Sequence, residues 1–247
     1  MPLLNEFGIQ LYSVREDTER DFPGTLRRLG DMGYTGFEFA GYGDVTAPEM
    51  KRLMDGYGIK SVGSHLGVDM LKWNLGLALT YNQILGTDYI IVPGIGMESR
   101  DDAMRAAEDL SAIGEKCAKE GFKFAYHNHS HEFTRDNGEY LLDILIGNAD
   151  KRYVKIELDL FWAVYAGVEP FAYMERHSDV VRLLHVKQIK DSESKLGVDM
   201  DEGIIDFAAV IRAGIANGVE HFILEQEEYP VSPMVSVEKG IRHIMSL

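Results

Sequence analysis

Lys123-Phe-Ala-Tyr-His-Asn-His-Ser-His-Glu-Phe133, introduced by Gly121, begins as an apolar strand and ends with three histidines and a glutamate between positions 127 and 132. In a strand alternate side chains share a face, so Ala125, His127 and His129 point one way while Tyr126 and Asn128 point the other. Two imidazoles then converge where the strand leaves the core. Neutral imidazole is the commonest metal ligand and the side chain whose charge changes most readily near neutral pH. The grammar around this stretch, a helix, a terminating glycine and an apolar strand, recurs along the chain. It is found at Gly33-Tyr-Thr-Gly-Phe-Glu-Phe39, Gly58-Ile-Lys-Ser-Val62, Gly86-Thr-Asp-Tyr-Ile-Ile-Val92 and Gly218-Val-Glu-His-Phe-Ile-Leu224.

Working outward, residues 7–14 read as the first strand, followed by a polar loop over 15–20 and a helix over about 21–32. Strands are expected at 35–40, 59–65, 88–93, 153–159, 181–187 and 221–227, with helices at about 46–58, 70–85, 99–120, 138–146, 169–177 and 205–217 and from Ser232-Pro233. Thr46-Ala-Pro-Glu49 is a capping box, and the run Asp88-Tyr-Ile-Ile-Val-Pro93 suits a strand buried on both faces. Eight strand–helix units joined by short connections call for a parallel sheet, and at 247 residues they fit a closed (β/α)8 barrel better than an open doubly wound sheet. No Gly-rich phosphate fingerprint follows the first strand. No linker or low-complexity run divides the chain, so residues 1–247 are read as a single domain.

Lys+Arg 25 against Asp+Glu 40 gives a formal charge of −15, which repels phosphate backbones and anionic lipid, so neither nucleic acid nor membrane is an expected partner. The single Cys117 cannot form an internal disulfide and reads as a small buried helix residue. Met1-Pro-Leu-Leu-Asn-Glu6 has no basic start followed by a long apolar run, and no segment approaches a membrane span. A reducing cytoplasm is the default expectation, although a trimmed export signal would leave no trace.

In such a barrel chemistry sits at the carboxyl ends of the strands. Polar side chains accumulate there: Glu38, His65, His127 and His129, Glu157 and Asp159, His185 and Lys187, Glu225 and Glu227. Burying one such group without a partner costs several kcal/mol, and a divalent cation between acids and imidazoles resolves that conflict. Carboxylate oxygens with imidazole nitrogens suit Mn²⁺, Zn²⁺, Co²⁺ or Mg²⁺, and the lack of thiolates argues against a structural zinc site.

Each residue has a plainer reading beside the functional one. His65 is either a satisfied barrel histidine or a ligand. Glu38 pairs with a lysine or holds a sugar hydroxyl. Tyr12, Trp162 and Tyr229 are core or rim aromatics, with Trp162 also able to offer its face to a sugar ring. Lys187 is a solvated rim group or a partner of a substrate oxygen. Glu157 is expected a layer below Asp159, as a partner of the ligands. His131 and Glu132 read as loop residues, and the acidic runs 225–228 and 199–202 as solvated faces, Glu225 alone standing at a strand terminus.

The order of several short motifs is similar to that of the xylose isomerase-like barrels, the sugar phosphate isomerases/epimerases with inosose dehydratases and type-IV apurinic endonucleases as relatives. The motifs are Ile9-Gln-Leu-Tyr-Ser-Val-Arg15, Gly36-Phe-Glu38, Ser64-His-Leu66, Asp88-Tyr-Ile-Ile-Val-Pro-Gly94, Tyr126-His-Asn-His129, Glu157-Leu-Asp-Leu-Phe-Trp162, Leu184-His-Val-Lys187, Gly203-Ile-Ile-Asp206 and Leu224-Glu-Gln226. By this resemblance one divalent cation is held from the fifth to eighth strands, by His127, Asp159, His185 and Glu225. Two positions depart from the sugar epimerases: His127 stands where they usually carry a glutamate that moves a proton, and Trp162 where they carry a histidine. Such relatives often pair, which makes a homodimer an expectation.

The expected activity is isomerisation or epimerisation of a sugar or sugar phosphate through an enediolate, the cation chelating a carbonyl and the adjacent hydroxyl. Glu225 takes the proton, His127 or His129 returns it, Lys187 faces the oxyanion, and Glu38, His65, Trp162, Glu157 and Tyr12 are the substrate-binding candidates. If an imidazole instead protonates a leaving group, the same site is a dehydratase or ketoglycoside lyase. Metal-dependent phosphoester hydrolysis is a further reading, disfavoured by the charge. A non-catalytic sugar binder is another, with little use for so many ionisable groups at one mouth.

Overall fold

In the computed structural model, residues 3–247 are described. Met1 and Pro2, at the head of the stretch read for an export signal, lie outside the described residues. Eight parallel strands close into one barrel: β1 (Gly8–Gln10), β2 (Gly36–Phe39), β3 (Lys60–His65), β4 (Tyr89–Val92), β5 (Lys123–His127), β6 (Val154–Asp159), β7 (Val181–Val186) and β8 (His221–Leu224). Each strand pairs with its neighbour in sequence and β1 closes on β8, as short right-handed crossovers through helices dictate. This is the single-domain (β/α)8 architecture that the repeated helix–glycine–strand grammar called for. Among the described residues no helix is long and apolar enough to cross a membrane.

Helices end where glycine accepts a left-handed backbone, as at Gly58 (φ 66°) and Gly86 (φ 70°), and the next strand starts within a few residues. The helices cover the barrel through one large apolar cluster that includes Phe37, Leu110, Phe124 and Ile211. A smaller cluster, Val62, Tyr89, Ile91, Ala125, Leu183 and Ile223, fills the barrel and forms the floor under the polar mouth. Two registers align that mouth. His127 lies opposite Glu157 across β5–β6, and an irregularity between Ile156 and Glu157 brings Asp159 opposite His185 across β6–β7.

Several element boundaries depart from the expectation. The first strand stops at Gln10 because its side chain accepts from the Tyr12 amide and turns residues 11–14 into a 3-10 helix. The expected polar loop after it is a helical turn, Arg15–Arg20, with Arg20 near Glu16 and Asp17. The helix expected over 70–85 is two, Val68–Trp73 and Leu75–Leu85, broken at Asn74 (φ −135°). Gly138 does not begin a helix. With Asn137 (φ 51°) it forms the turn of a short hairpin, Arg135–Asp136 with Glu139–Tyr140, and the helix follows at Leu141–Asn148. A helix not anticipated, Leu160–Tyr165, starts at Asp159. Strands β7 and β8 end one and three residues early, leaving Lys187, Glu225 and Glu227 just past the ladder.

At the opposite end of the barrel, Asp88 accepts from His221 Nε2 at 2.8 Å and Lys123 Nζ at 3.1 Å, tying the starts of β4, β5 and β8. Desolvation pushes the Asp88 carboxyl up, but these donors outweigh it and hold it below its ordinary value. A depressed carboxyl stabilises the fold above its unfolded pKa, and the contribution is lost as pH falls through the folded value. With the side chain 36% exposed and screened, Asp88→Asn is expected to cost about 1 kcal/mol or less at pH 7. The deficit should shrink between pH 7 and about pH 3, as the carboxyl begins to pass into its neutral form. Urea titrations of both proteins at the two pH values check this, and an equal deficit at both would remove the charge from the account.

Candidate metal centre and active site

Four side chains reach one point from successive strands: His127 from the end of β5, Asp159 from β6, His185 from β7 and Glu225 just after β8. One donor atom of each lies within 4.8 Å of the others, and all four are buried. Local structure aims each of them. Asp159 caps the helix Leu160–Tyr165, its Oδ1 accepting from the Trp162 amide at 3.0 Å, and its own amide donates to Asn128 Oδ1 at 3.1 Å. That leaves Asp159 Oδ2 turned inward. Glu225 Oε2 lies 3.3 Å from His185 Nδ1 and 3.5 Å from Lys187 Nζ, while Lys187 also donates to Glu227 and rests on the rings of Phe161 and Trp162, 4.8 and 4.9 Å from their centroids.

A second group lies beneath, sharing His127 and His185 with the first and adding His65 and Glu157. His65 Nε2 is 2.9 Å from Glu157 and 3.0 Å from Glu38, and His185 Nε2 is 2.8 Å from Glu38. Glu38 also accepts from Gln10 Nε2 at 2.7 Å. Its carboxylate fits because position 63 has no side chain: a Cβ there would lie 2.7 Å from Glu38 Oε2. Glu38, read as a substrate-binding group, and Glu157, read both as substrate-binding and as a partner of the ligands a layer below Asp159, are 0% exposed and lie under the imidazoles, as the second reading of Glu157 expects; among the described residues no lysine pairs with Glu38.

Charge in the two layers follows from these contacts. Desolvation pushes Glu157 up, but His185, His127 and His65 outweigh it and hold it well below the carboxylate range. Desolvation likewise opposes ionisation of Glu225, and Lys187 and His185 overcome it. His65 is raised to about 10 against the cost of burial by Glu38 and Glu157. Asp159 is raised to about 7, first by burial. Burial also lowers His127 to about 4 and His129 to about 3, so both are neutral at pH 7.

The donors suit a divalent cation. They are oxygens and nitrogens only, each a carboxylate or an imidazole lying against one, and the one thiol, Cys117, is buried in the helix Arg100–Lys119. Asp159 Oδ2 is buried with no hydrogen-bond partner, as are Glu38 Oε2 and Glu157 Oε1 below it, while His127 Nδ1 lies 3.2 Å from Glu157 Oε2. The lower layer supplies its own compensating charge through His65, whereas the base nearest Asp159 Oδ2 is His185 Nδ1 at 3.8 Å. The upper quartet is therefore the better fit. Two other acidic groups differ: Lys123 bridges Asp88 and Glu220, and Lys239 reaches Asp199, Asp201 and Glu202.

Above the quartet opens a cavity of about 430 Å³ lined by Tyr12, Ala40, His65, Pro93, His127, His129, Trp162, Glu225 and Glu227. Tyr12 is exposed and Trp162 half-buried, with the His129 ring 5.6 Å from the Trp162 ring. Tyr229 straps the rim, its hydroxyl lying 2.6 and 2.5 Å from the carbonyls of Ser13 and Gln226, either of which can accept its one proton. Sequence reasoning missed Gln10, Asn128 and Glu132, and it read Glu227 both as a group at the eighth strand's end and as part of a solvated run; the cavity wall holds it. Glu227 shares the period-two face of Glu225, which was the available signal. Glu132, expected in a loop, is buried: its carboxylate accepts from Tyr126 Oη at 2.6 Å and from the His129 amide at 2.9 Å, fixing the turn that presents His129. His131 is exposed.

With barrel and site in view, the chain belongs to the xylose isomerase-like TIM barrel family, whose model matches residues 26–247. Among curated proteins it is similar to the inosose dehydratase of Geobacillus kaustophilus, 23% identical over 190 residues, covering 67% of this chain and 61% of that protein's own length. Among solved structures it resembles a sugar phosphate isomerase/epimerase from Parabacteroides distasonis (25% identical, TM-score 0.84, covering 96% and 92% of the two chains). A 3-keto-D-glucoside 4-epimerase from E. coli shares the fold (15% identical, TM-score 0.71, covering 98% and 99%).

Proposed function

We propose that this chain is a divalent-cation-dependent sugar isomerase or epimerase. The observation that carries the proposal is that an ionised carboxylate, Glu225, and the imidazoles of His127 and His129 line one cavity, with the Lys187 ammonium against the carboxylate. His127, Asp159, His185 and Glu225 would hold the cation, which supplies Lewis acidity toward a carbonyl and its neighbouring hydroxyl.

Lys187 keeps Glu225 ionised, so it meets the substrate as a base and takes the proton from the carbon between carbonyl and hydroxyl. Lys187 Nζ faces the negative charge that then develops on oxygen, and its seat on Phe161 and Trp162 fixes it there without reorganisation. His129, neutral when the substrate arrives, gains basicity beside that charge, takes up a proton from water at the mouth and passes it to the neighbouring carbon or the opposite face, while the proton held by Glu225 returns to solvent. Glu38 and Glu157 hold the imidazoles of His185 and His65 in place from below. Trp162 and Tyr12 cover the ring and keep bulk water from the intermediate.

Elimination is the second reading, favoured by relatives named inosose dehydratase and by imidazoles where a second carboxylate would serve epimerisation. Here the imidazole protonates a departing hydroxyl β to the carbonyl, and water leaves. Incubation with ketoses, inososes and 3-keto-glycosides in deuterated water, with Mn²⁺ present, separates the two. Deuterium wash-in at the carbon beside the carbonyl without loss of mass supports isomerisation, wash-in with loss of water supports elimination, and no wash-in from any compound overturns both.

A further inference from the structure

We infer that Glu132 is a positioning residue whose buried carboxylate aims the His129 imidazole into the cavity by holding the backbone that carries it. This rests on His129 as the group that returns the proton, and it assigns how that group is aimed. Among the described residues neither ring nitrogen of His129 makes a hydrogen bond; its amide donates to Glu132 Oε2 and its carbonyl accepts from Asn128 Nδ2 at 3.2 Å. The ring is held by packing alone, 4.9 Å from the His127 ring and 5.6 Å from that of Trp162. Both nitrogens are left free for a proton and a substrate, so the direction of the ring depends on the chain beneath it.

Glu132 fixes that chain at three points. Oε1 accepts from Tyr126 Oη at 2.6 Å, Oε2 accepts from the His129 amide at 2.9 Å, and His131 Nδ1 lies 3.2 Å from Oε2. Two of these anchors are tied in turn to the loop after β4: the Ile95 amide donates to Tyr126 Oη at 3.2 Å, and His131 Nε2 lies 3.1 Å from the Ile95 carbonyl. The loops after β4 and β5 therefore close on one carboxylate. Glu132 is fully buried, and among the described residues no lysine or arginine pairs with it. Burying a carboxylate on such terms costs on the order of several kcal/mol, which an apolar side chain packed under the same turn would not.

An imidazole displaced by about 1 Å from the carbon it protonates loses on the order of 10²-fold in rate. The proton taken by Glu225 is not subject to that loss, because Glu225 stands after β8 and bonds to His185 and Lys187. Loss of the Glu132 carboxylate should therefore separate the two halves of the reaction.

The test follows two rates in Mn²⁺-loaded protein in deuterated water, with the compound that exchanges best in the parent: deuterium entry at the carbon that Glu225 deprotonates, and conversion to product. Glu132→Leu should lower conversion about 10–100-fold while that exchange, KM and Mn²⁺ affinity stay within about threefold. Glu132→Gln should bring conversion back to within about fivefold of the parent, since its amide oxygen still accepts from the His129 N–H while the Tyr126 hydroxyl turns to accept from the amide nitrogen. Should Glu132→Leu fail to fold, Tyr126→Phe keeps the carboxylate, removes one anchor and should show the same split at about threefold or more. Crystal structures of the parent and the variant read the aim without substrate: the His129 ring should shift by about 1 Å while His127, Asp159 and His185 stay in place. A ring that does not move, exchange and conversion lost by the same factor, or no recovery in Glu132→Gln would overturn the inference. A parent that neither exchanges nor converts any compound, with the ring shifted in the variant, defeats only the isomerase reading.

Discussion

Glu225→Gln should lower deuterium exchange into the best substrate by about 10²–10⁴-fold, the range expected when a positioned general base is removed. The amide has nearly the same shape, so packing at this buried position survives, but it cannot accept a proton from carbon. It also removes one negative donor from the quartet of His127, Asp159, His185 and Glu225. Lys187 retains Glu227 as partner, so no isolated buried charge is created. Circular dichroism should therefore report an intact barrel, and exchange rates should be compared at saturating Mn²⁺ to separate lost basicity from lost affinity. A variant that exchanges as fast as the parent would assign the base elsewhere, with His129 the next group facing the cavity.

Glu38→Gln should weaken Mn²⁺ binding about 10–100-fold, although Glu38 cannot touch the ion, because it fixes the orientation of a group that can. One oxygen of Glu38 meets Gln10 Nε2 at 2.7 Å, His185 Nε2 at 2.8 Å and His65 Nε2 at 3.0 Å. A cation beside Glu225 and Asp159 would displace the proton from His185 Nδ1, and Glu38 would keep the one on Nε2 in place. An amide is a poorer acceptor, and in its other orientation sets N–H against N–H. Gly63→Ala supplies a second variant with all charges kept: its Cβ would crowd Glu38 Oε2 at 2.7 Å, and it should weaken the cation in the same direction. Calorimetric titration reads both. Affinity unchanged in both variants would mean that Glu38 serves packing alone.

The architecture and the mouth were legible because both obey simple periods. Period two along the strands places His127 over Ala125 and Asp159 over Glu157, and parallel closure then brings those strand ends together. Depth was less legible. Glu38 reads as a strand-end acid, yet an irregularity between Phe37 and Glu38 in the β2–β3 pairing and the absence of a side chain at Gly63 let it sit beneath the imidazoles. Asn137-Gly138 carries a hairpin turn in its own residues and was passed over for the apolar run that follows. The break at Asn74 and the burial of Glu132 have no local signature. The second depends on Tyr126 reaching across the turn, a contact that exists only once the strand is placed.

The central claim is that imidazoles and carboxylates from four neighbouring strands converge because one doubly charged ion belongs between them. Anomalous diffraction at the manganese edge, from crystals of the protein soaked in Mn²⁺, tests it most directly. The account predicts a single strong peak within coordination distance of His127, Asp159, His185 and Glu225. No peak there, or one only beside Asp199, Asp201 and Glu202, would contradict it.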